Sequence, residues 1–403
     1  MALASSNRPE RVELTARQKQ IMKRWHTFQA EISNAGYLDP QDMSFYAHYM
    51  AIAILGVADL WLVQGISGIR DAFLAGLLAS FVSGLTGHLG HDAAHKQAPK
   101  RSKMLMAFAT WYLGNLSLGF SLLWWKDKHN QHHGKPNQDS TPEKRGDPDT
   151  WFGMLAFAPS QLALKSQKKI VQFVLRHQSW MFFCLLPFQA INARYSSVCY
   201  LFSVKLSKRI LIAQFGGIAL HLLIYGAILA HIWMHAGPGP SIVFAATHQA
   251  GHGIYNGLVF ATNHKGRKFF LVTDFPSWFE AQVLSSRNVR CGGIHIKPLE
   301  AILQKSIIGR ATIRGSRIAL DFVVTWLYGG LNYQIEHHLF QTMPRCNLRK
   351  VRPLVIAFLE ELRAEGFEEF EYYETGIVRA YAEVAINFKE VSSHLGEELF
   401  MAA

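Results

Sequence analysis

Four stretches of this chain are apolar over a length that suits a hydrocarbon core, which takes ~20 mostly apolar residues in a helix. They cover residues 46–66, 72–90, 210–233 and 242–261. Short turns, QGISGIRD and MHAGPGP, join the first to the second and the third to the fourth. The pattern predicts two helical hairpins. Residues 104–125, 179–191 and 318–331 are also apolar, and they read as interfacial helices or segments that dip partway. Trp124 and Trp125 suit the headgroup level of a bilayer. The expected organisation is a polar leader (1–45), a membrane domain (46–355) and a cytosolic tail (356–403). The leader reads as amphipathic or disordered, without the apolar core and cleavage site of a signal peptide. The acidic start of the tail, EELRAEGFEEFEYYE, reads as a solvated amphipathic helix, and residues 139–149 as a polar, turn-rich loop.

Composition fits that picture. Of 403 residues 49% are hydrophobic, beside 41 Lys and Arg, so the apolar residues are concentrated in blocks. The formal charge of +12 points to lipid headgroups or acidic partners, since no basic helix with interleaved aromatics marks a nucleic-acid module. The two short turns hold one Arg between them. The leader, residues 96–209 and the tail from 265 hold nearly all the other cations. By the positive-inside rule those three regions face the cytoplasm. Cys184, Cys199, Cys291 and Cys346 lie far apart without a CxxC, which suggests reduced thiols acting as small hydrophobes.

Against this background the histidines stand out. His91-x3-His95, His129-x2-His132-His133 and Gln334-x2-His337-His338 each place imidazoles three or four residues apart, hence on one helical face. All three boxes fall on the cytosolic side if 104–125 does not cross. Imidazole suits iron, zinc, copper and nickel. Structural zinc often brings cysteine, and none accompanies these boxes. A ligand count near eight fits two metal ions, and soluble di-iron bundles are richer in Glu. The expected fold is therefore an all-α membrane protein, with four transmembrane helices in two hairpins. A cytosolic helical cap would hold a histidine-rich di-iron site that activates O2 against a C–H bond supplied from the lipid phase.

HDAAH, HNQHH and QIEHH, in that order and separated by paired spans, resemble the membrane fatty acid desaturases. The likeness extends over about residues 45–355, through NHKG, SSRNVR and GGLNYQIEHHLF, and the Gln opening the third box is similar to the front-end acyl desaturases. The resemblance implies that His91, His95, His129, His132, His133, His337 and His338 ligate iron, with His264 of NHKG as an eighth ligand. It places Gln334 beside the metals. It further implies that two adjacent hydrogens are removed from an acyl chain, on coenzyme A or on a lipid, to leave a cis double bond. No HPGG haem motif is present, so electrons are expected from a separate ferredoxin, flavodoxin or cytochrome b5. Gln341 replaces the usual proline after LF, a change expected to alter a loop.

Asp92 and Glu336 lie inside boxes and are candidates to orient a ligating imidazole. Arg287 and Arg290 are candidates to hold a substrate headgroup, against the alternative of ordinary cytosolic charges. His248 and His252 lie within the fourth stretch and read as helix packing with hydrogen bonds, rival ligands being the alternative. His88 reads as an outer partner at best, and His231 and His235 fall on the outer side. Asp59, inside the first stretch, reads as a hydrated or hydrogen-bonded acid. A lipid hydroxylase on the same scaffold is the near alternative function. A membrane b-type cytochrome or a metal transporter is the distant one.

Overall fold

The computed structural model describes residues 13–98, 102–140, 146–150, 153–165, 168–290 and 306–395. Cys291 and residues 141–145 of the polar loop lie outside the described residues. The chain is mostly helical. α1 (Ala16–Asn34) starts on a capping box, in which Thr15 and Gln18 satisfy each other's backbone N–H groups. α2 (Asp42–Gln64) and α3 (Ile69–Ala94) follow, and then α4 (Lys103–Trp111) and α5 (Leu122–Gly134). Short helices α6 (Leu162–Lys165), α7 (Lys169–Arg176) and α8 (Gln178–Leu185) lead to α9 (Gln189–Ser203). α10 (Lys208–Ala236) and α11 (Pro238–His264) form the next long pair, turning at Gly237 with φ +91°. The remainder comprises α12 (Trp278–Ser285), α13 (Ile307–Leu327), α14 (Gln334–Leu339), α15 (Arg345–Ala364) and α16 (Ile377–Ser393).

Among the described residues three helices have the length and apolarity to cross a membrane: α2, α3 and α10. α11 has the length, with 27 residues, but is less apolar because His248, Gln249, His252 and Asn256 interrupt it. The outer faces of α2 and α10 are exposed and apolar, with Trp61, Ile212 and Leu223 each at least 70% exposed, as expected of lipid-facing surfaces.

α3 packs along α11 through a stripe of small residues that includes Ala72, Ala75, Gly76, Ala79, Ser80 and Gly84. A Cβ on Gly76 would stand 2.9 Å from the Phe244 carbonyl, and one on Gly84 would enter the Tyr255 ring. Small residues of this kind let helix backbones approach closely where no hydrophobic drive brings them together.

The apolar stretch 104–125 does not form one helix. α4 passes into a π-helical turn (Tyr112–Leu116), and the chain then reverses, with Gly119 at φ +72° against the His221 ring. The reversal leaves backbone groups unpaired inside an apolar body, and side chains from α9 and α10 take them up. His221 Nδ1 donates to the Leu116 carbonyl at 2.9 Å, and Arg194 Nε to that of Leu118 at 2.9 Å. Gln214 Oε1 accepts from Asn115 and Ser121, both at 2.8 Å. α5 is thus sent back toward the end of α3.

Two expectations need correction. The fold is not purely helical: β1 (Asn288–Arg290) pairs in parallel with β2 (Glu374–Gly376), because the chain before α16 lies beside the SSRNVR segment. The leader and tail are also built into the body. Ile21, Trp25, Phe28 and Ile32 of α1 pack with Phe279, Phe340 and Phe358, and Phe28 stacks on Phe358 at 4.3 Å. The boundary expected at 355/356 falls inside α15, whose Val351, Val355, Phe358 and Leu362 belong to the same cluster. α16 closes against Leu155, Phe157 and Phe182 through Val384 and Phe388. Of the described cysteines, Cys184 and Cys199 are exposed and Cys346 is partly buried.

Candidate metal centre

The end of α3, the C-terminal half of α5, the last residue of α11 and the short α14 meet at one place. His91 closes α3 and His95 caps it. The reversal at residues 117–121 delivers His129, His132 and His133 beside them, and Gly329 and Gly330, at φ +60° and +82°, turn the chain so that α14 brings His337 and His338. All eight imidazoles are buried.

They fall into two contiguous groups, in each of which one nitrogen per ring lies within 4.8 Å of the others. One group is His91, His95, His129, His133 and His337; the other is His132, His264 and His338. The boxes are therefore not units. Residues 129 and 133 share a helix face, whereas 132 is turned about 100° from 133, as successive residues are at 3.6 per turn. The adjacent pair 337 and 338 is divided between the groups for the same reason. The groups touch where the His133 and His338 rings lie 4.3 Å apart.

The donor set suits cations. His133 Nε2 lies 3.0 Å from His129 Nε2 and 3.1 Å from His337 Nε2, which is itself 3.1 Å from His91 Nε2. One ring nitrogen is either a donor or an acceptor, so His133 and His337 cannot satisfy two such contacts by hydrogen bonding. Two imidazoles bound side by side at ~2.1 Å from one ion would stand about 3 Å apart. The His91 and His337 Nδ1 atoms and the His95 and His338 Nε2 atoms are buried without a partner. Burial first, and neighbouring imidazoles second, hold His129, His133, His337 and His338 well below the usual imidazole pKa. Neutral imidazole is the form that binds metal.

The three-imidazole group is also locked from behind. His132 Nδ1 donates to Asp147 Oδ2 at 2.9 Å, His264 Nδ1 to the Ser285 carbonyl at 3.0 Å and His338 Nδ1 to Gln282 Oε1 at 2.8 Å. Each Nε2 is thereby left free to turn inward. Burial disfavours the His132 cation, but the charge and hydrogen bond of Asp147, with Asp149 behind it, outweigh that and raise its pKa. Gln334 reaches the same group, with its amide 2.8 Å from His264 Nε2 and its Oε1 held by Asn263 at 3.0 Å. Asp147 and Gln282 were not singled out from sequence. The available signal was an acidic DPD loop downstream of a box with no carboxylate of its own.

Other candidates are placed differently. Asp92 stands 3.6 Å from His91 Nδ1, beyond hydrogen-bond range, and instead accepts from Arg345 Nε at 2.6 Å, which ties α3 to α15. Glu336 orients no imidazole; its buried carboxylate accepts from Asn288 at 2.7 Å and from the Tyr372 hydroxyl at 2.6 Å. Arg287, offered as a headgroup ligand, does not line the cavity. It is fully buried, donating to the Thr262 and Lys265 carbonyls at 2.7 Å each and pairing with Glu383. Arg290 is exposed but paired with Glu374 at 2.6 Å, and it does not line the cavity beside the histidines. His248 bonds Ser83 and Tyr225, at 2.9 and 3.3 Å, in helix packing. His88 packs on Tyr255 outside both groups, and His231 and His235 contact each other near the far end of α10.

A cavity of about 200 Å³ opens beside the histidines, with walls that include Trp124, Phe157, Leu186, Gly257 and Phe260. His252 lines it with both ring nitrogens unpartnered. Trp125 stacks on His129 at 4.2 Å and lines the cavity too.

The sequence profile of the fatty acid desaturase family matches residues 72–368, a span that takes in every histidine of both groups. The chain belongs to the fatty acid desaturase family. Among its relatives are acyl-lipid (9-3)-desaturases from Physcomitrium patens, 27% identical over 77% of this chain, and Borago officinalis, 25% identical over 95%. A delta(5) fatty acid desaturase from Caenorhabditis elegans is 28% identical over 68%. This desaturase-family chain spans 52% of the moss protein, 80% of the borage protein and 54% of the nematode protein.

Proposed function

We propose that the chain is an O2-dependent fatty acyl desaturase, and that the eight buried histidines hold two iron ions. His91, His95, His129, His133 and His337 would ligate one, and His132, His264 and His338 the other. The observation that carries this reading is the division of eight imidazoles into two touching groups on the wall of an apolar cavity. Iron bound there would supply the O2 chemistry that removes hydrogens from two adjacent methylenes, with two electrons from a donor and two from the substrate taking O2 to water.

The protein's own part is positioning and exclusion of water. Asp147, Ser285 and Gln282 hold the Nδ1 protons outward. Trp124, Phe157 and Phe260 give the chain an apolar bed, which fixes a methylene pair near the histidines and keeps bulk water from a reactive site. α2 with α3 and α10 with α11 would form the two membrane hairpins, α11 tolerating its polar residues because they face α3, Arg194 of α9 and the cavity. The cation-rich segments would then set the histidines at the cytoplasmic side, where a separate ferredoxin, flavodoxin or cytochrome b5 would deliver electrons.

Expression of the full chain in a host of known lipid content tests this. A new cis double bond, located by mass spectrometry and absent with His132→Ala, is the expected result. A hydroxylated chain would move the assignment to the lipid hydroxylases, and a Soret band in the purified protein to a haem protein.

A further inference from the structure

The cavity has a charged rim. Lys128 pairs with Asp149 at 2.8 Å, with side chains 32% and 37% exposed, so the space opens to solvent there. Lys265 lines the same rim. At the other end the cavity runs past the buried His252 and Gly257. Lys265 follows His264 directly and so leaves the backbone one residue, ~3.8 Å at Cα, from a member of the three-imidazole group. Its backbone carbonyl accepts from the buried Arg287 at 2.7 Å, which fixes the base of the side chain. Its ammonium donates once, to the Asp149 backbone carbonyl at 3.2 Å, and lies 4.0 Å from the centre of the Phe157 ring. An ammonium has three N–H donors, so two remain unused among the described residues. The Asp149 carboxylate is paired with Lys128 instead, and although the charges of Asp147 and Asp149 both act on the Lys265 ammonium, neither carboxylate forms an ion pair with it among the described residues.

We propose that Lys265 binds the carbonyl oxygen at the head of the acyl substrate and thereby fixes which methylenes lie against the histidines. This rests on the desaturase reading. An acyl chain that enters past the charged rim with its tail against Leu186 and Gly257 leaves its carbonyl at the rim. An anchor next to His264 permits only a short run of carbons between carbonyl and reaction site. The position of the new double bond is then counted from the carbonyl end, whatever the length of the far end. Thioester and ester carriers share this carbonyl, so the anchor serves either. Coenzyme A thioesters and phospholipid esters, supplied in parallel, tell which carrier the chain uses.

The test uses the full chain with acyl substrates that differ in length by two methylenes. In the wild type, the double bond should stay at a constant distance from the carbonyl for both lengths. Lys265→Met should raise KM by about tenfold or more, the usual weight of a charge-assisted hydrogen bond, and spread the double bond over neighbouring positions at unchanged iron content. Lys265→Arg should restore a single position. A merely structural lysine would lower yield or iron content and leave the position alone. A wild-type double bond held at constant distance from the methyl end overturns the proposal even if Lys265→Met fails to fold. So does a Lys265→Met enzyme with normal iron, KM and product. Absence of any double bond from the wild type would instead overturn the desaturase reading.

Discussion

His132 Nδ1 donates to the carboxylate of Asp147 at 2.9 Å, and Asp147 has no exposed surface. The same carboxylate accepts from the Asn137 and Asp149 backbone N–H groups, both at 2.8 Å. Asp147 is therefore fixed before it fixes His132. Asp147→Asn removes the charge and leaves the tautomer of His132 undetermined. Loss of such a partner costs about 10–100-fold in metal affinity. The variant should lose iron to a chelator at concentrations that leave the wild type loaded. Equal retention by the two proteins would count against the arrangement.

The division of the boxes makes a second prediction. His264→Ala leaves two imidazoles in its group, one fewer than the three protein ligands of an open metal site, whereas His95→Ala leaves four in the other. Iron per chain should fall by about half with His264→Ala and less with His95→Ala, because a site left with two imidazoles holds its metal more weakly than one left with four. Iron quantitation on protein of matched purity decides it. The reverse order would mean that the grouping by distance is not the grouping of ligands.

The spacing of the boxes was legible in the sequence because it is local: three or four residues along a helix mean neighbouring side chains. Membership of the two groups was not, since it depends on how α5 and α14 are rotated against α3 and α11. Asp147 hid in a polar loop, where nothing in DPD says that one carboxylate turns inward. Arg287 looked like a surface charge because its partners lie in distant or non-adjacent segments: Thr262, Lys265 and Glu383. α1 carried a clearer signal, with Ile21, Trp25, Phe28 and Ile32 at helical spacing, but its polar majority masked the stripe. The expectation that 104–125 is interfacial or dips partway came from keeping the histidine boxes on one side; the reversal at 117–121, and its satisfaction by Arg194, Gln214 and His221, was not readable.

Gly329 is required twice over. Its φ is +60°, and a Cβ there would stand 2.4 Å from the His88 ring. Gly329→Ala combines left-handed strain with overpacking, together about 2–5 kcal/mol. Gly226→Ala in α10, where a Cβ meets nothing within 4 Å, should be neutral or slightly stabilising. Thermal unfolding in detergent should show a clear fall in Tm for the first and none for the second. Matching transitions would mean that the turn before α14 relaxes freely.

Arg287 and Arg290 sit three residues apart and should behave as opposites. Arg287 is 0% exposed, and its loss would leave Glu383 with Arg379 and Tyr373 and free the Thr262 and Lys265 carbonyls inside the protein. Leaving two buried carbonyls without a donor costs about 1–3 kcal/mol each, so Arg287→Met should give little folded protein. The Arg290 side chain is 64% exposed, and its partner Glu374 keeps a second cation, Arg352 at 2.9 Å. Arg290→Ala should cost ~0–1 kcal/mol and leave KM for the acyl substrate unchanged. Folded yield after detergent extraction and KM on the soluble fraction separate the cases. A well-folded Arg287→Met enzyme with raised KM would return that residue to the substrate, and a raised KM for Arg290→Ala would do the same for its neighbour. If neither occurs, the headgroup is read at the Lys128–Asp149–Lys265 rim, where the cavity opens.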